Sequence, residues 1–153
     1  MKQLSKIQTA IFALGGILMV VGAASFAFYR PGFLNAIGDG SRIVRVTSWL
    51  FLLGTVLFSV IQAMQVYEGK SLVIHRLKKI QNIANILFVL AGISMVDSVY
   101  TFACRWFENP QTYYSLFMGK WIELMLIAAV LELYTTHRIS RELKKEIMPK
   151  NTK

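Results

Sequence analysis

Two long runs without a charged residue constrain this chain more than any other feature. They extend from Ile7 to Tyr29 and from Val46 to Tyr67. About 20 predominantly apolar residues are enough for a helix to cross the hydrocarbon core of a bilayer. Because lipid offers the backbone no hydrogen-bond partners, such runs form helices. The sequence therefore predicts an all-α membrane protein.

Two further runs complete the predicted architecture. The third, residues 80–104, contains one carboxylate, Asp97. The fourth, residues 113–134, contains Lys120, Glu123 and Glu132, and its apolar part extends from Leu124 to Leu131. We expect a single domain over residues 1–153, a bundle of four transmembrane helices at about 7–29, 46–67, 80–104 and 113–134.

The second predicted span begins after a short polar stretch. Asp39, Gly40 and Ser41 precede it and are typical of a turn and a helix cap. An alternative concerns the first span, since Lys2 and Lys6 before an apolar run and Ser25 to Ala27 within it also resemble a signal peptide. The run is longer than the h-region of such peptides, which favours a span.

The basic residues predict the orientation of the bundle. Cytoplasmic loops of membrane proteins carry an excess of Lys and Arg. One side of the predicted bundle holds twelve of the 17 basic residues: Lys2, Lys6, Lys70, Arg76, Lys78, Lys79, Arg138, Arg141, Lys144, Lys145, Lys150 and Lys153. The other side holds Arg30, Arg42, Arg45, Arg105 and Lys120. Both termini are therefore expected in the cytoplasm.

The net charge of +9 also indicates a membrane protein. A nucleic-acid binder presents its basic residues on a soluble face, whereas here they lie between apolar runs in a chain that is 55% hydrophobic and 16% charged. They favour contact with the anionic inner leaflet of a lipid bilayer, and no nucleic-acid partner is expected. The simple topology fits a multi-pass protein of the bacterial inner membrane.

Charged residues inside the spans are the first candidates for a functional site, because burying them in lipid is costly. Asp97 and Lys120 are each predicted roughly 10 Å from the outer end of their helices, and Glu123 roughly 15 Å. On antiparallel neighbours they would meet at similar depth. The predicted outer polar cluster contains Asp97, Lys120, Glu123, Ser94, Ser98 and Thr101. It is interpreted either as a set of charges that hold two helices together or as a site for a proton, cation or polar solute.

A second polar patch is predicted nearer the cytoplasm, from Gln62, Gln65 and Glu132. Glu132 follows Glu123 by nine residues and so faces the opposite side of the helix. An interfacial position for these side chains is the alternative. His75 and His137 have no cysteine or carboxylate at the spacing of metal ligands, so neither a metal nor a cofactor is expected.

Small residues and an amphipathic tail suggest contacts between helices. Gly15 and Gly22 share one face of the first span, and Thr55, Ser59 and Ala63 share a face of the second. These faces suit either packing within the bundle or a seam between copies. In the basic tail, residues 138–153, Ile139, Leu143 and Ile147 share a face and Pro149 should end the helix. The tail could lie on the membrane, extend the fourth helix or bind a partner.

These features favour a non-enzymatic membrane component: an accessory subunit, an assembly factor or a scaffold. Its expected partner is a membrane protein or a second copy of the chain. A small transporter or channel that uses the outer polar cluster is the alternative. An enzyme is not expected, because no nucleophile can be placed beside a base.

Overall fold

In the computed structural model, which describes residues 5–29, 40–69 and 71–147, the chain is helical and no described residue belongs to a strand. The long helices are α1 (Lys6–Tyr29), α2 (Gly40–Ala63), α3 (Leu72–Tyr100) and α5 (Trp121–Ile147). A 3-10 turn (Phe102–Trp106) and the short helix α4 (Pro110–Leu116) connect α3 to α5. Asp39 of the predicted turn and the predicted helix end at Pro149 lie outside the described residues. Gly40 and Ser41, predicted in the same turn, are instead the first residues of α2.

Three of these helices are long and apolar enough to cross a membrane: Lys6–Phe28, Gly40–Ala63 and Leu72–Tyr100. The prediction of a helical membrane protein is confirmed in this form. α5 has 27 residues, but Glu123, Glu132 and Arg138 interrupt its apolar part, and it is not among the three.

α2 and α3 start before the predicted spans because their first turns extend from the apolar runs into polar surroundings. α2 and α3 begin six and eight residues earlier than predicted, and each ends four residues earlier. The hydroxyl oxygen of Ser71 accepts the backbone N–H of Ile74 and caps the start of α3. α3 ends because Thr101 adopts a left-handed conformation with φ of 52°.

The predicted fourth helix, residues 113–134, is wrong as one continuous element. Asn109 caps α4 and Pro110 begins it, and the segment 117–120 then forms a turn before α5 starts at Trp121. Gly119 in this turn has φ of +81°, a conformation that other residues rarely adopt. The sequence did not indicate this turn, because the residues on both sides of it are mostly apolar.

The four long helices form a curved row. α1 packs on α2, α2 on α3, and α3 on α5. The pairs Phe12–Phe58 and Ser25–Thr47 show that α1 and α2 are antiparallel. The next neighbours in the row are antiparallel as well. The beginning of α1 and the end of α5 therefore share one end of the bundle, here called the basic end.

Glycines bring the first two helices into close contact. A Cβ atom on Gly54 would lie 2.7 Å from the carbonyl oxygen of Gly15 and 2.9 Å from the backbone nitrogen of Met19. A Cβ on Gly22 would lie 2.5 Å from the Cβ of Phe51. The predicted small-residue face of Gly15 and Gly22 is thus occupied by α2. Within lipid, where helices gain little from hydrophobic burial, such close approach supplies the attraction between them.

The small face of α2 meets α3. Thr55 and Ser59 are buried, and the hydroxyl group of Ser59 donates a hydrogen bond of 3.1 Å to the carbonyl oxygen of Asn85. Ala63, at the end of α2, is exposed. Thr55 and Ser59 are therefore used for packing within the chain, and of the predicted face only Ala63 is left for a second copy.

The substitution Gly54→Ala tests the contact between α1 and α2. The new methyl group meets backbone atoms that cannot rotate away, and overpacking of this kind costs about 1–3 kcal/mol. We expect a lower thermal unfolding midpoint for the purified protein in detergent. Gly16→Ala is the matched control, because a Cβ at Gly16 meets nothing within 4 Å. Equal midpoints for the two variants would contradict this packing.

Candidate functional site

The predicted outer polar cluster is divided in the structure. Asp97 is 5% exposed. Its carboxylate accepts the backbone N–H of Ala103 at 2.8 Å and the hydroxyl group of Tyr113, also at 2.8 Å. Both oxygens of Asp97 are thus used to fix the chain where α3 ends. Tyr113 is fully buried, so this bond also anchors α4 on the bundle.

Lys120 and Glu123 form an ion pair with each other. Lys120 Nζ is 2.6 Å from Glu123 Oε1, an ion pair that the spacing of three residues permits. The side chains are 42% and 64% exposed, and none of the described ion pairs joins either residue to Asp97. The expected meeting of the three charges therefore stays a prediction, and the pair that the structure shows is Lys120 with Glu123. Since α5 starts at Trp121, Glu123 occupies its first turn, where the helix dipole favours a negative charge.

The remaining members of the predicted outer cluster also have structural partners. The hydroxyl group of Ser98 donates to the carbonyl oxygen of Ser94 at 2.8 Å and accepts the backbone N–H of Gly119 at 3.2 Å. The backbone N–H of Thr101 donates to the carbonyl oxygen of Asp97. The bond from Gly119 ties the end of α3 to the turn before α5.

Substitutions of Asp97 and Glu123 test whether Asp97 stabilises the fold and the exposed pair of Lys120 and Glu123 does not. Asp97→Ala leaves the buried N–H of Ala103 without an acceptor and leaves the Tyr113 hydroxyl group only the backbone carbonyl of residue 97 at 3.4 Å. We expect this to cost about 1–3 kcal/mol. Glu123→Ala should stay within about 0.5 kcal/mol, as exposed positions generally do. Thermal unfolding in detergent measures both. If Glu123→Ala were the more damaging change, this assignment would be wrong.

The second predicted patch is a connected polar network, here called the inner cluster and formed by Gln62, Gln81, Glu132 and Thr136. Gln81 Nε2 donates to Glu132 Oε1 at 2.9 Å, and the Thr136 hydroxyl group donates to the same oxygen at 2.7 Å. Gln62 Nε2 also donates to it. The carboxylate of α5 therefore binds side chains of both α2 and α3.

Two of these four residues were predicted from the sequence, Gln62 and Glu132. Gln81 and Thr136 were missed, because Gln81 lies at the edge of the predicted third span and Thr136 lies beyond the fourth. The spacing from Glu132 to Thr136, four residues along one helix face, is the signal that could have found Thr136. Gln65 follows the end of α2 and contributes to the wall of a nearby cavity.

The inner cluster contains polar atoms that are buried and have no partner among the described residues. They are Gln62 Oε1, Gln81 Oε1 and Glu132 Oε2. On the neighbouring turns of α3, Lys78 Nζ and both amide atoms of Asn85 are also buried without a described partner. Buried polar atoms are nearly always hydrogen-bonded in proteins. Their concentration in one place marks the inner cluster as the chemically most distinctive part of the chain.

The tail continues α5 beyond the inner cluster. Ile139 is 4% exposed and packs with Tyr67, Ile74 and Leu77, and Leu143 lies against them. A hydrogen bond of 2.9 Å from Lys145 lowers the pKa of the Glu142 carboxyl. The apolar residues of the tail that the structure describes are thus covered by the chain itself. Ile147, the third predicted member of that face, has no described side chain.

A large apolar crevice separates α1 from α5. Its volume is about 1250 Å³. α1 contributes small side chains to one wall, α5 contributes Trp121, Met125 and Ala129 to the other, and Phe58 and Phe88 form the floor. The rings of Phe26 and Trp121, 5.1 Å apart at their centroids, bring the two walls into contact.

The chain was compared with protein families, curated proteins and solved structures. None of them matches it. The functional conclusions therefore depend on the geometry of the crevice and of the inner cluster.

Proposed function

We propose that the chain is a four-span protein of the bacterial inner membrane with both termini in the cytoplasm. In this arrangement α5 crosses the bilayer beside the three more apolar helices. Its antiparallel packing on α3 and its position in the row support this. The excess of basic residues at the end shared by Lys6 and the tail supports the orientation.

We further propose that the protein is a non-enzymatic accessory or scaffold component that binds a transmembrane helix of a partner membrane protein in the crevice. The crevice itself is the observation that carries this proposal. In the most apolar stretch of α1, 11% of the residues are buried inside the protein, against 50% in α3. α1 therefore keeps most of its surface for contacts outside its own chain.

The chemistry of the crevice walls fits a helix. Gly16, Ala23 and Ala27 share one face of α1, and small residues of this kind let helix backbones approach each other in lipid. Gly16 has no contact within the chain that requires a glycine. Met19 and Met125 supply flexible side chains that adapt to a partner's surface. The buried indole N–H of Trp121, which has no partner among the described residues, offers a donor on the other wall.

A partner protein suits the crevice better than a second copy. All four long helices of this chain line the crevice, two as its walls and two as its floor. Any helix that a second copy inserted into this crevice would therefore also line the crevice of that second copy. A helix from a different protein has no such conflict.

The alternative function, a small transporter or channel that uses the outer polar cluster, has less support. Asp97 uses both carboxylate oxygens in bonds that hold α3 and α4. Lys120 and Glu123 neutralise each other near the protein surface. None of the three charged residues retains the free, buried group that a transport site in the outer half would use.

Site-specific photo-crosslinking in intact membranes tests the crevice. A photoreactive residue in place of Ala27, which lines the crevice, should form an adduct with a transmembrane segment of one other membrane protein. The same residue in place of Ala13 is the matched control, because Ala13 is exposed on α1 and does not line the crevice. We expect the adduct from position 27 alone.

A crevice-filling variant provides the second half of the test. Gly16→Leu together with Ala27→Leu should abolish the adduct formed by a photoreactive residue in place of Met125, while Ala13→Leu should leave it intact. Adducts with lipid alone would refute the proposal of a protein partner. Adducts with a second copy of this chain would replace it with a homo-oligomer.

A further inference from the structure

A second cavity lies at the basic end of the bundle, beside the inner cluster. Its volume is about 380 Å³, within the range of small-molecule sites. Phe12 and Leu143 contribute apolar surface, and the polar side is lined by Gln62, Gln65, Gln81, Glu132, Thr136, Ser140 and Lys144. The cavity is distinct from the crevice, so a ligand bound in it would be independent of the proposed partner helix.

The hydrogen bonds of the inner cluster determine which atoms remain for a ligand. A carboxylate oxygen accepts hydrogen bonds and cannot donate them, so Gln62 and Gln81 must both turn their amide nitrogens toward Glu132 Oε1. Their oxygens then point elsewhere. Gln62 Oε1, Gln81 Oε1 and Glu132 Oε2 are buried and have no partner among the described residues. All three are acceptors.

The burial of these side chains makes their lack of partners costly. Gln62 is 5% exposed and Gln81 is 4% exposed. An unsatisfied buried polar group loses its hydration without compensation. A ligand that donates to these oxygens would recover that loss, and this favours a group with several donors.

We propose that this cavity binds the protonated amino group of a small organic amine that enters from the basic end. An ammonium group has three N–H donors and no acceptor, which matches three acceptors of which one belongs to a carboxylate. Phe12 and Leu143, with Ile139 beside them, would contact the hydrocarbon part of the amine. The aromatic face of Phe12 also attracts a cation.

Two lysines of the chain carry the same ammonium group as the ligand: the exposed Lys144, which lines the cavity, and the buried Lys78, which competes for the same acceptors. Lys78 lies one turn before Gln81 on α3, and its Nζ is buried with no partner among the described residues. Lys78 lies close enough to Glu132 for the two charges to attract each other, although none of the described ion pairs joins them. Because its side chain carries the same ammonium group as the proposed ligand, Lys78 must be varied in the test.

Binding of n-propylammonium to the full chain in nanodiscs tests the proposal. Saturation-transfer NMR near neutral pH follows the titration, with n-propanol as the neutral analogue and empty nanodiscs as the lipid control. We expect saturable binding of the amine and none of the alcohol. Glu132→Gln should weaken binding by at least about tenfold, the effect of losing a bond to a charged group. Glu123→Gln, at the exposed outer carboxylate, should change nothing.

Two further variants keep the result interpretable. Gln81→Leu removes one acceptor and preserves the carboxylate, so it should also weaken binding, and it decides the matter if Glu132→Gln does not fold. Lys78→Met should bind the amine at least as tightly as the wild type. Equal binding of amine and alcohol, or no loss in either cavity variant, would overturn the proposal. Binding by Lys78→Met alone would show that Lys78 itself fills the site, which would also overturn it.

Discussion

The close approach of α1 and α2 at Gly15 and Gly54 is the contact on which the rest of this structure depends. A side chain at Gly54 would collide with the backbone of α1, so the two helices touch without intervening side chains. In lipid this contact substitutes for the hydrophobic drive that joins helices in water. Gly92 allows the same approach of α3 to Thr55. Three helices are thereby fixed in a row, and α5 adds to its far edge.

This row explains both features to which we attribute function. A row leaves its first and last helices with a free side each, and the crevice lies between those sides. At the basic end, the side chain of Glu132 on α5 reaches both α2 and α3, so that its carboxylate accepts hydrogen bonds from Gln62 and Gln81 together. The two carboxylates buried by this arrangement differ in their surroundings. Asp97 has partners for both oxygens, whereas Glu132 has partners for one.

The sequence predicted the helical membrane fold because long apolar runs without charge leave few other possibilities. It also predicted that Gly15, Gly22, Thr55 and Ser59 pack between helices. It failed at residues 113–134, since the turn at Gly119 lies within residues that are as apolar as a span. That one error placed Lys120 and Glu123 inside a continuous predicted span, whereas Lys120 ends the turn and Glu123 lies in the first turn of α5. The structure gives Asp97 Tyr113 as a partner, the first residue of the predicted fourth span.

The inner cluster shows a different limit of sequence reasoning. Gln62 and Glu132 attracted attention as polar residues near span ends, but residues at such positions commonly reach the interface. Only the packing of three helices reveals that they are bonded to each other and that some of their atoms are buried without partners. Gln81 belongs to the same network, but the sequence did not indicate it. It directly follows Lys78, Lys79 and Ile80 at the start of the third apolar run, where a polar residue is expected.

The proposed topology depends on α5, which must cross the membrane and return the chain to the side where α1 begins. Cys104, the only cysteine in the chain, is half-buried at the opposite end of the bundle. Labelling with a membrane-impermeant maleimide in intact cells whose outer membrane is opened tests this crossing. Cys104 should react from outside. A cysteine in place of the exposed Ser140, in a Cys104→Ala chain, should react only after the inner membrane is permeabilised. Reaction of both positions from the same side would contradict the four-span topology.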